Sequence, residues 1–310
     1  MEIAIVEFFQ SFACGFLDVF FWLITKLGEE TMFFFVLTVA YLCYSKKFAI
    51  KISFYYLSSV AFNNLLKLIV KRPRPYVEST TISNRLNADG YSFPSGHTQG
   101  YFAVATTSFI EVNKYNKSRS IKISTLVILS LLGILVMLSR MYWGQHFLSD
   151  VVVGMMFGIS VIYFMDWLIT ILPNKVKELF TLNRIYVGLG VVALILFIII
   201  LMLDIFAGFN VDVAYKFCGV FFAMSIGYFV DKKWIGYESC QGFKIGLLKA
   251  LISVSIIALL YWALSVMFRI NSYIIFVVYL FLGLICTTIL PVIFKKLFKV
   301  KVDNENCRDR

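Results

Sequence analysis

Apolar residues run in long blocks along this chain, and polar residues gather in the short intervals between them. Blocks at about 29–45, 48–71, 97–112, 121–140 and 146–171 are followed by others at about 184–203, 213–230, 244–267 and 272–294. Most approach or reach the ~20 residues that an α-helix needs to cross a bilayer; the first is short. The pattern predicts an all-α protein, a polytopic membrane bundle of about nine transmembrane helices. Residues 1–27 are also apolar but carry Glu2, Glu7, Gln10, Asp18 and Lys26. They predict one or two helices lying in the membrane interface, with a crossing as the alternative. Pro73 and Pro75 end the 48–71 helix, because proline disfavours continuation. Gly154 and Gly158, four apart, mark a face where another helix packs closely.

Composition agrees with this pattern. The 310 residues are 60% hydrophobic and 17% aromatic, with a mean hydropathy of +0.83, well above a soluble domain. The net charge of +11 suggests nucleic acid only if its position is ignored. The loops at 45–51, 113–122, 173–184 and 231–244, with the C-terminal tail, hold about two thirds of the Lys and Arg. That distribution is expected of cytoplasmic loops facing anionic lipid, so the partner is the bilayer and no nucleic acid is expected. The C-terminus is then cytoplasmic, and the helix ends around 72–96 and 140–146 are extracytoplasmic. The expected organisation is interfacial helices over 1–28, a core over 29–172, further crossings over 173–298 and a polar tail over 299–310. Cys14, Cys43, Cys218, Cys240, Cys286 and Cys307 form no Cys-x-x-Cys pair and no metal-ligand spacing, and are given no role. The first residues lack the basic stretch and cleavage site of a secretory leader, so none is expected.

The extracytoplasmic ends carry the candidate chemistry. The chain has two histidines, and both stand where a polar loop meets an apolar helix. His146 and Asp150, four apart, would share one helix face, so the carboxylate orients one imidazole nitrogen and leaves the other for a substrate. Arg140 offers a planar fork for phosphate oxygens. Ser95 and Gly96 precede His97 at a helix start, a natural anion site. Lys67 and Arg74, seven apart, would lie two turns apart on one helix and face the same pocket. Phosphoester cleavage needs positive charge around the phosphoryl oxygens, a nucleophile and a proton for the leaving oxygen. Here Lys67, Arg74 and Arg140 supply the charge, His146 is the candidate nucleophile, and His97 the general acid and later the base. The carboxylates on this side are few and scattered, so no metal and no other cofactor is expected. Lys71, Arg72 and Arg85 are expected to be ordinary interfacial charges, and Tyr142 and Trp143 part of an aromatic belt.

These three stretches resemble the tripartite signature of the type-2 phosphatidic acid phosphatase superfamily. Its parts stand here as Lys67…Arg74-Pro75, Pro94-Ser95-Gly96-His97 and Ser139-Arg140…His146…Asp150. The resemblance covers about residues 30–170. It implies a phosphatidic acid phosphatase/haloperoxidase-like helical core and metal-independent phosphate removal, with His146, His97 and Asp150 catalytic and Lys67, Arg74, Arg140, Ser95 and Gly96 binding substrate. It also implies a lipid phosphate as substrate: phosphatidic acid, phosphatidylglycerol phosphate or undecaprenyl diphosphate. The number of crossings is similar to the glucose-6-phosphatase branch, which adds a sugar phosphatase as an alternative. Transfer of the phosphoryl group to a lipid or sugar acceptor would use the same residues. A non-catalytic binding or transport protein is disfavoured, since no part of the signature is missing.

Overall fold

The computed structural model describes residues 2–86, 88, 90–116, 118–173, 182–207, 212–239, 243–267 and 272–298. Among them there is helix and loop and no strand. The helices are α1 (Glu2–Ser11), α2 (Gly15–Lys26), α3 (Glu30–Val39), α4 (Lys46–Val70), α5 (Pro75–Glu78), α6 (Gly96–Tyr115), α7 (Arg119–Tyr142) and α8 (Leu148–Ile171). They continue as α9 (Leu182–Ala207), α10 (Asp212–Val230), α11 (Phe243–Met267), α12 (Ser272–Leu284) and α13 (Leu290–Leu297). Three π-helical turns, Ala40–Tyr44, Asp231–Ile235 and Ile285–Ile289, extend α3, α10 and α12.

Six of these stretches are long and apolar enough to cross a membrane: α7, α8, Leu182–Ile200, Asp212–Ile235, Lys244–Leu264 and Ile274–Leu297. The other three expected crossings fall on α3 with its π turn, on α4 and on α6. The first is short, Glu30–Tyr44. The 25-residue α4 and 20-residue α6 have the length but carry polar groups at the bundle interior: Ser59 and Asn63 on α4, Gln99, Thr107 and Glu111 on α6, all buried. Ser59, Asn63 and Gln99 bond one another. Asn63 Nδ2 donates to Gln99 Oε1 at 2.8 Å, and Gln99 Nε2 donates to the Ser59 carbonyl at 2.8 Å. A satisfied polar seam between two helices lowers their hydropathy without making them loops.

The chain divides into two compact units, Met1–Phe34 with Lys51–Ile171, and Phe35–Ile50 with Leu172–Arg310. The boundaries fall inside α3 and α4. In the first unit α6 packs on α7 and α8, and α1 and α2 pack on α7. A Cβ on Gly154 would stand 2.8 Å from the Ser95 carbonyl oxygen, and one on Gly158 2.7 Å from that of Gln99. Only glycine allows α8 this close to α6, which is the contact the Gly154–Gly158 spacing predicted. Tyr101, Phe102, Ala105 and Val136 form an apolar core beside it. With 10 and 12 residues, α1 and α2 are too short to cross. In the second unit α10 packs on α9 and α12, and the π turn Ile285–Ile289 adjoins each of the other two.

Candidate active site

The site is assembled where α4, α6 and α8 begin or end. The first element departs from expectation. α4 stops at Val70, and Lys71 takes a left-handed φ of 51°, so Arg74 does not continue the helix that carries Lys67. It lies instead just before the single turn of α5, with Pro75 at its start. The turn still buries Arg74, at 5% exposure. Its Nε donates to the Gly90 carbonyl at 3.0 Å and its Nη1 to the Gln145 carbonyl at 3.1 Å. Lys67 Nζ donates to the Tyr91 carbonyl at 2.7 Å. The two cations thus converge through a bend rather than along one helix.

His146 departs similarly. α8 begins at Leu148, so His146 sits in the buried loop before it rather than on its first turn. Arg74 Nη1 faces His146 Nε2 at 3.5 Å. A guanidinium can only donate, so this contact suits an imidazole whose Nε2 is the unprotonated nitrogen. On the other side His146 Nδ1 lies 3.7 Å from Asp150 Oδ2, beyond hydrogen-bond distance. Ser92 Oγ stands between them, 3.4 Å from His146 Nδ1 and hydrogen-bonded to Asp150 Oδ2. Burial, then the Arg140, Arg74 and Lys67 charges, hold the His146 imidazole well below its usual range, against the Ser92 carbonyl, which favours protonation. The ring is therefore neutral at neutral pH, with a lone pair available.

Asp150 is fully buried and its carboxylate is held from several sides. The Phe147 N–H donates to Oδ2 at 2.8 Å, the reach-back of a residue three positions into a helix, so Asp150 also caps α8. Arg72 Nη1 donates to Oδ1 at 2.9 Å and to Ser149 Oγ at 2.7 Å, while its Nη2 donates to Glu2 Oε2 at 2.6 Å. Its guanidinium lies 4.0 Å from the centre of the Phe147 ring. Arg72 is thus the ion partner of Asp150, not an ordinary interfacial charge. Arg85 likewise pairs with Asp18 at 2.7 Å and lies over the Tyr142 and Trp143 rings. Those two rings are 1% and 6% exposed, Tyr142 packed on Phe21 of α2 and Trp143 on Tyr142 and Arg85, so they are buried instead of forming an aromatic belt. Lys71 is exposed, as expected.

The remaining predicted residues lie around the same loop. Ser95 caps α6, its Oγ accepting from the Thr98 N–H, and its own N–H donates to the Asp150 carbonyl at 3.0 Å. This bond ties the Ser95-Gly96-His97 corner to the start of α8. Gly96 opens α6 and His97 follows it. His97 is within electrostatic reach of Arg140, His146, Lys67 and Arg74. Arg140 is 3% exposed; Nη1 donates to Thr25 Oγ1 at 2.8 Å, and its buried Nε has no hydrogen-bond partner among the described residues. Ser139 Oγ bonds back to the Val136 carbonyl. The arrangement therefore gathers three cations and two imidazoles, and Lys67 and Arg140 make their hydrogen bonds to a carbonyl and a hydroxyl oxygen, which leaves their charge for an anion.

Residues 48–174 match the model of the PAP2 superfamily, and residues 215–302 match that of the PAP2 superfamily phosphatase, transmembrane extension. Every residue of the candidate site from Lys67 to Asp150 falls within the first. The chain is similar to three curated proteins. One is named "Probable sphingosine-1-phosphate phosphatase" from Dictyostelium discoideum, 26% identical over 52% of this chain and 41% of that protein. Another is "Probable lipid phosphate phosphatase beta" of Arabidopsis thaliana, 25% identical over 51% of this chain and 84% of that protein. The third is the dolichyldiphosphatase of Saccharomyces cerevisiae, 31% identical over 34% of this chain and 46% of that protein. The match thus spans less than half of the first and third of these relatives.

Proposed function

We propose, for a chain that carries a PAP2 superfamily domain and that superfamily's transmembrane extension, metal-independent hydrolysis of a lipid phosphate at the extracytoplasmic face of a membrane. The observation that carries the proposal is the convergence of Arg74 on His146 Nε2, at 3.5 Å, in a site where Lys67 and Arg140 bond only a carbonyl and a hydroxyl. Nε2 attacks phosphorus, the bond to the lipid oxygen breaks, and His97, protonated once the bound phosphate offsets the cations beside it, gives that oxygen its proton. His97 then takes a proton from water, whose oxygen attacks the phosphohistidine; the N–P bond breaks and inorganic phosphate leaves. Lys67, Arg74 and Arg140 hold the phosphoryl oxygens throughout, with the Ser95-Gly96 corner at the start of α6 adding backbone donors. Asp150 keeps the ring oriented.

Substrates in this reading are phosphomonoesters or diphosphates on a lipid: phosphatidic acid, phosphatidylglycerol phosphate or undecaprenyl diphosphate. Sphingosine 1-phosphate, lipid phosphate and dolichyl diphosphate, named for the relatives, belong to the same chemical class. Orientation follows from the basic loops, which the positive-inside rule assigns to the cytoplasm, opposite the site; the tail beyond Phe298 lies outside the described residues. The chemistry belongs to residues 29–172, and 173–298 add further crossings. The test is phosphate release from those three lipids and from glucose 6-phosphate, in detergent with excess chelator, beside His146→Ala. Release from a lipid, lost in the variant, is expected. Release from the sugar alone, or equal release by the variant, would contradict the proposal.

A further inference from the structure

The contact between His146 and its carboxylate is indirect, and one side chain fills the gap. His146 Nδ1 and Asp150 Oδ2 are 3.7 Å apart. Ser92 Oγ lies 3.4 Å from the first and hydrogen-bonds the second. All three residues are 0–2% exposed, so water does not compete for these groups. We propose that Ser92 is a positioning residue, whose hydroxyl relays the Asp150 carboxylate to His146 and fixes the Nδ1–H tautomer. The proposal rests on His146 being the nucleophile.

The hydrogen-bond inventory leads to one arrangement. An ionised carboxylate accepts only, so the Ser92 hydroxyl hydrogen must point to Asp150 Oδ2. Ser92 Oγ then has only lone pairs for His146, and Nδ1 must carry the hydrogen. The Arg74 donor facing Nε2 at 3.5 Å demands the same tautomer from the opposite side of the ring. No proton moves along the relay. When Nε2 bonds phosphorus the ring becomes cationic, and the Nδ1–H, Ser92 and Asp150 chain strengthens in place.

Ser92 is itself fixed from its main chain. Its N–H donates to the Arg72 carbonyl at 2.8 Å, while the Arg72 side chain holds the other Asp150 oxygen. Both ends of the relay therefore depend on the bend that follows α4. Asp150 Oδ2 also accepts from the Phe147 N–H, so it is anchored without moving to His146. A direct Asp150–His146 bond would require the carboxylate to leave Phe147 or Arg72.

The test compares Ser92→Thr with Ser92→Val, which match in shape and differ by the hydroxyl, and adds Ser92→Ala, Asp150→Ala and the double variant. Ser92→Thr is expected to keep kcat within a few-fold. Ser92→Val is expected to lose kcat by about 10–100-fold, the range for one hydrogen bond to a charged group, with KM little changed. Ser92→Ala combined with Asp150→Ala is expected to lose no more than Asp150→Ala alone, since the serine acts through the carboxylate. Equal kcat in the Thr and Val variants would overturn the proposal, as would a double loss equal to the product of the single losses. Failure of the underlying reading looks different: the wild type would release no phosphate, or His146→Ala would match it.

Discussion

Both units of the molecule bury charge among membrane helices, and two cations of the first are treated differently from the rest. In the second unit Lys46 is paired with a fully buried Asp231 and donates to the Tyr237 carbonyl at 2.7 Å. Lys249, also fully buried, donates to Tyr237 Oη at 2.8 Å, and the rings of Tyr237, Phe294 and Phe298 stand within 6 Å of its ammonium. Lys46 is closed off by a carboxylate and Lys249 by aromatic faces, which satisfy each where it stands. In the first unit Arg72 is closed off in the same way, by Asp150 with Glu2, and Arg85 is paired with Asp18, although its buried Nη1 has no hydrogen-bond partner among the described residues. Lys67 and Arg140 are not: one meets a carbonyl, the other a hydroxyl, and Arg140 Nε meets nothing among the described residues. A cation left on neutral oxygens beside a histidine pair keeps charge that it can offer an anion, as the proposed function requires. One wrapped in rings holds its own helices together.

This contrast can be broken by mutation. The largest effect is expected from His146→Ala, a fall in phosphate release on the order of 10⁴-fold or more, measured as initial rates in detergent. Arg140→Met should follow, with a loss of about 10²–10³-fold in kcat/KM, typical of a group that meets developing negative charge. Arg72→Met removes the ion partner of a fully buried carboxylate, so it should lower stability by about 1–3 kcal/mol in a detergent denaturation series as well as slowing turnover. Lys249→Met should do least: activity within about twofold of wild type and stability nearly unchanged, because an apolar side chain of similar length suits an aromatic cage. A Lys249 variant as inactive as the Arg140 variant would erase the distinction between the two kinds of buried cation.

A further measurement sharpens the comparison through pH. Burial and three neighbouring cations destabilise the imidazolium form of His146, so its pKa falls. At pH 6.5 a free histidine is about half protonated, whereas His146 should remain neutral and in the Nδ1–H form. Nitrogen-15 spectra of histidine-labelled protein, with His97→Asn to identify the remaining signal, read this directly. Half-protonation at or above pH 6.5 would contradict the electrostatics of the site.

Much of this architecture was legible along the chain. The apolar blocks mark the helices, the Gly154–Gly158 spacing marks the α6–α8 contact, and the three polar stretches do meet around His146. What stayed hidden depends on distant partners. Ser92 and His146 are 54 positions apart, Arg72 and Asp150 78, and Thr25 and Arg140 115. No local pattern announces that a serine ahead of Pro94 will stand between two side chains of a later loop. Arg72 looked like surface charge because its two carboxylates come from opposite parts of the sequence. The helical spacing of Lys67 and Arg74 was misleading in detail, since Lys71 turns left-handed between them. Tyr142 and Trp143 looked lipid-facing because nothing in their own segment shows that Phe21 and Arg85 pack on them.

The account turns on a covalent phosphohistidine at His146. Wild-type protein mixed with a phosphorus-32-labelled lipid phosphate and quenched within a turnover should carry label that is stable in alkali and labile in acid, as a phosphoramidate is. His97→Asn, which lacks both the acid and the base, should form it slowly and lose it slowly, and His146→Ala should form none. Label on the His146→Ala protein, or lipid hydrolysis by the wild type with no labelled protein under any quench, would contradict the account.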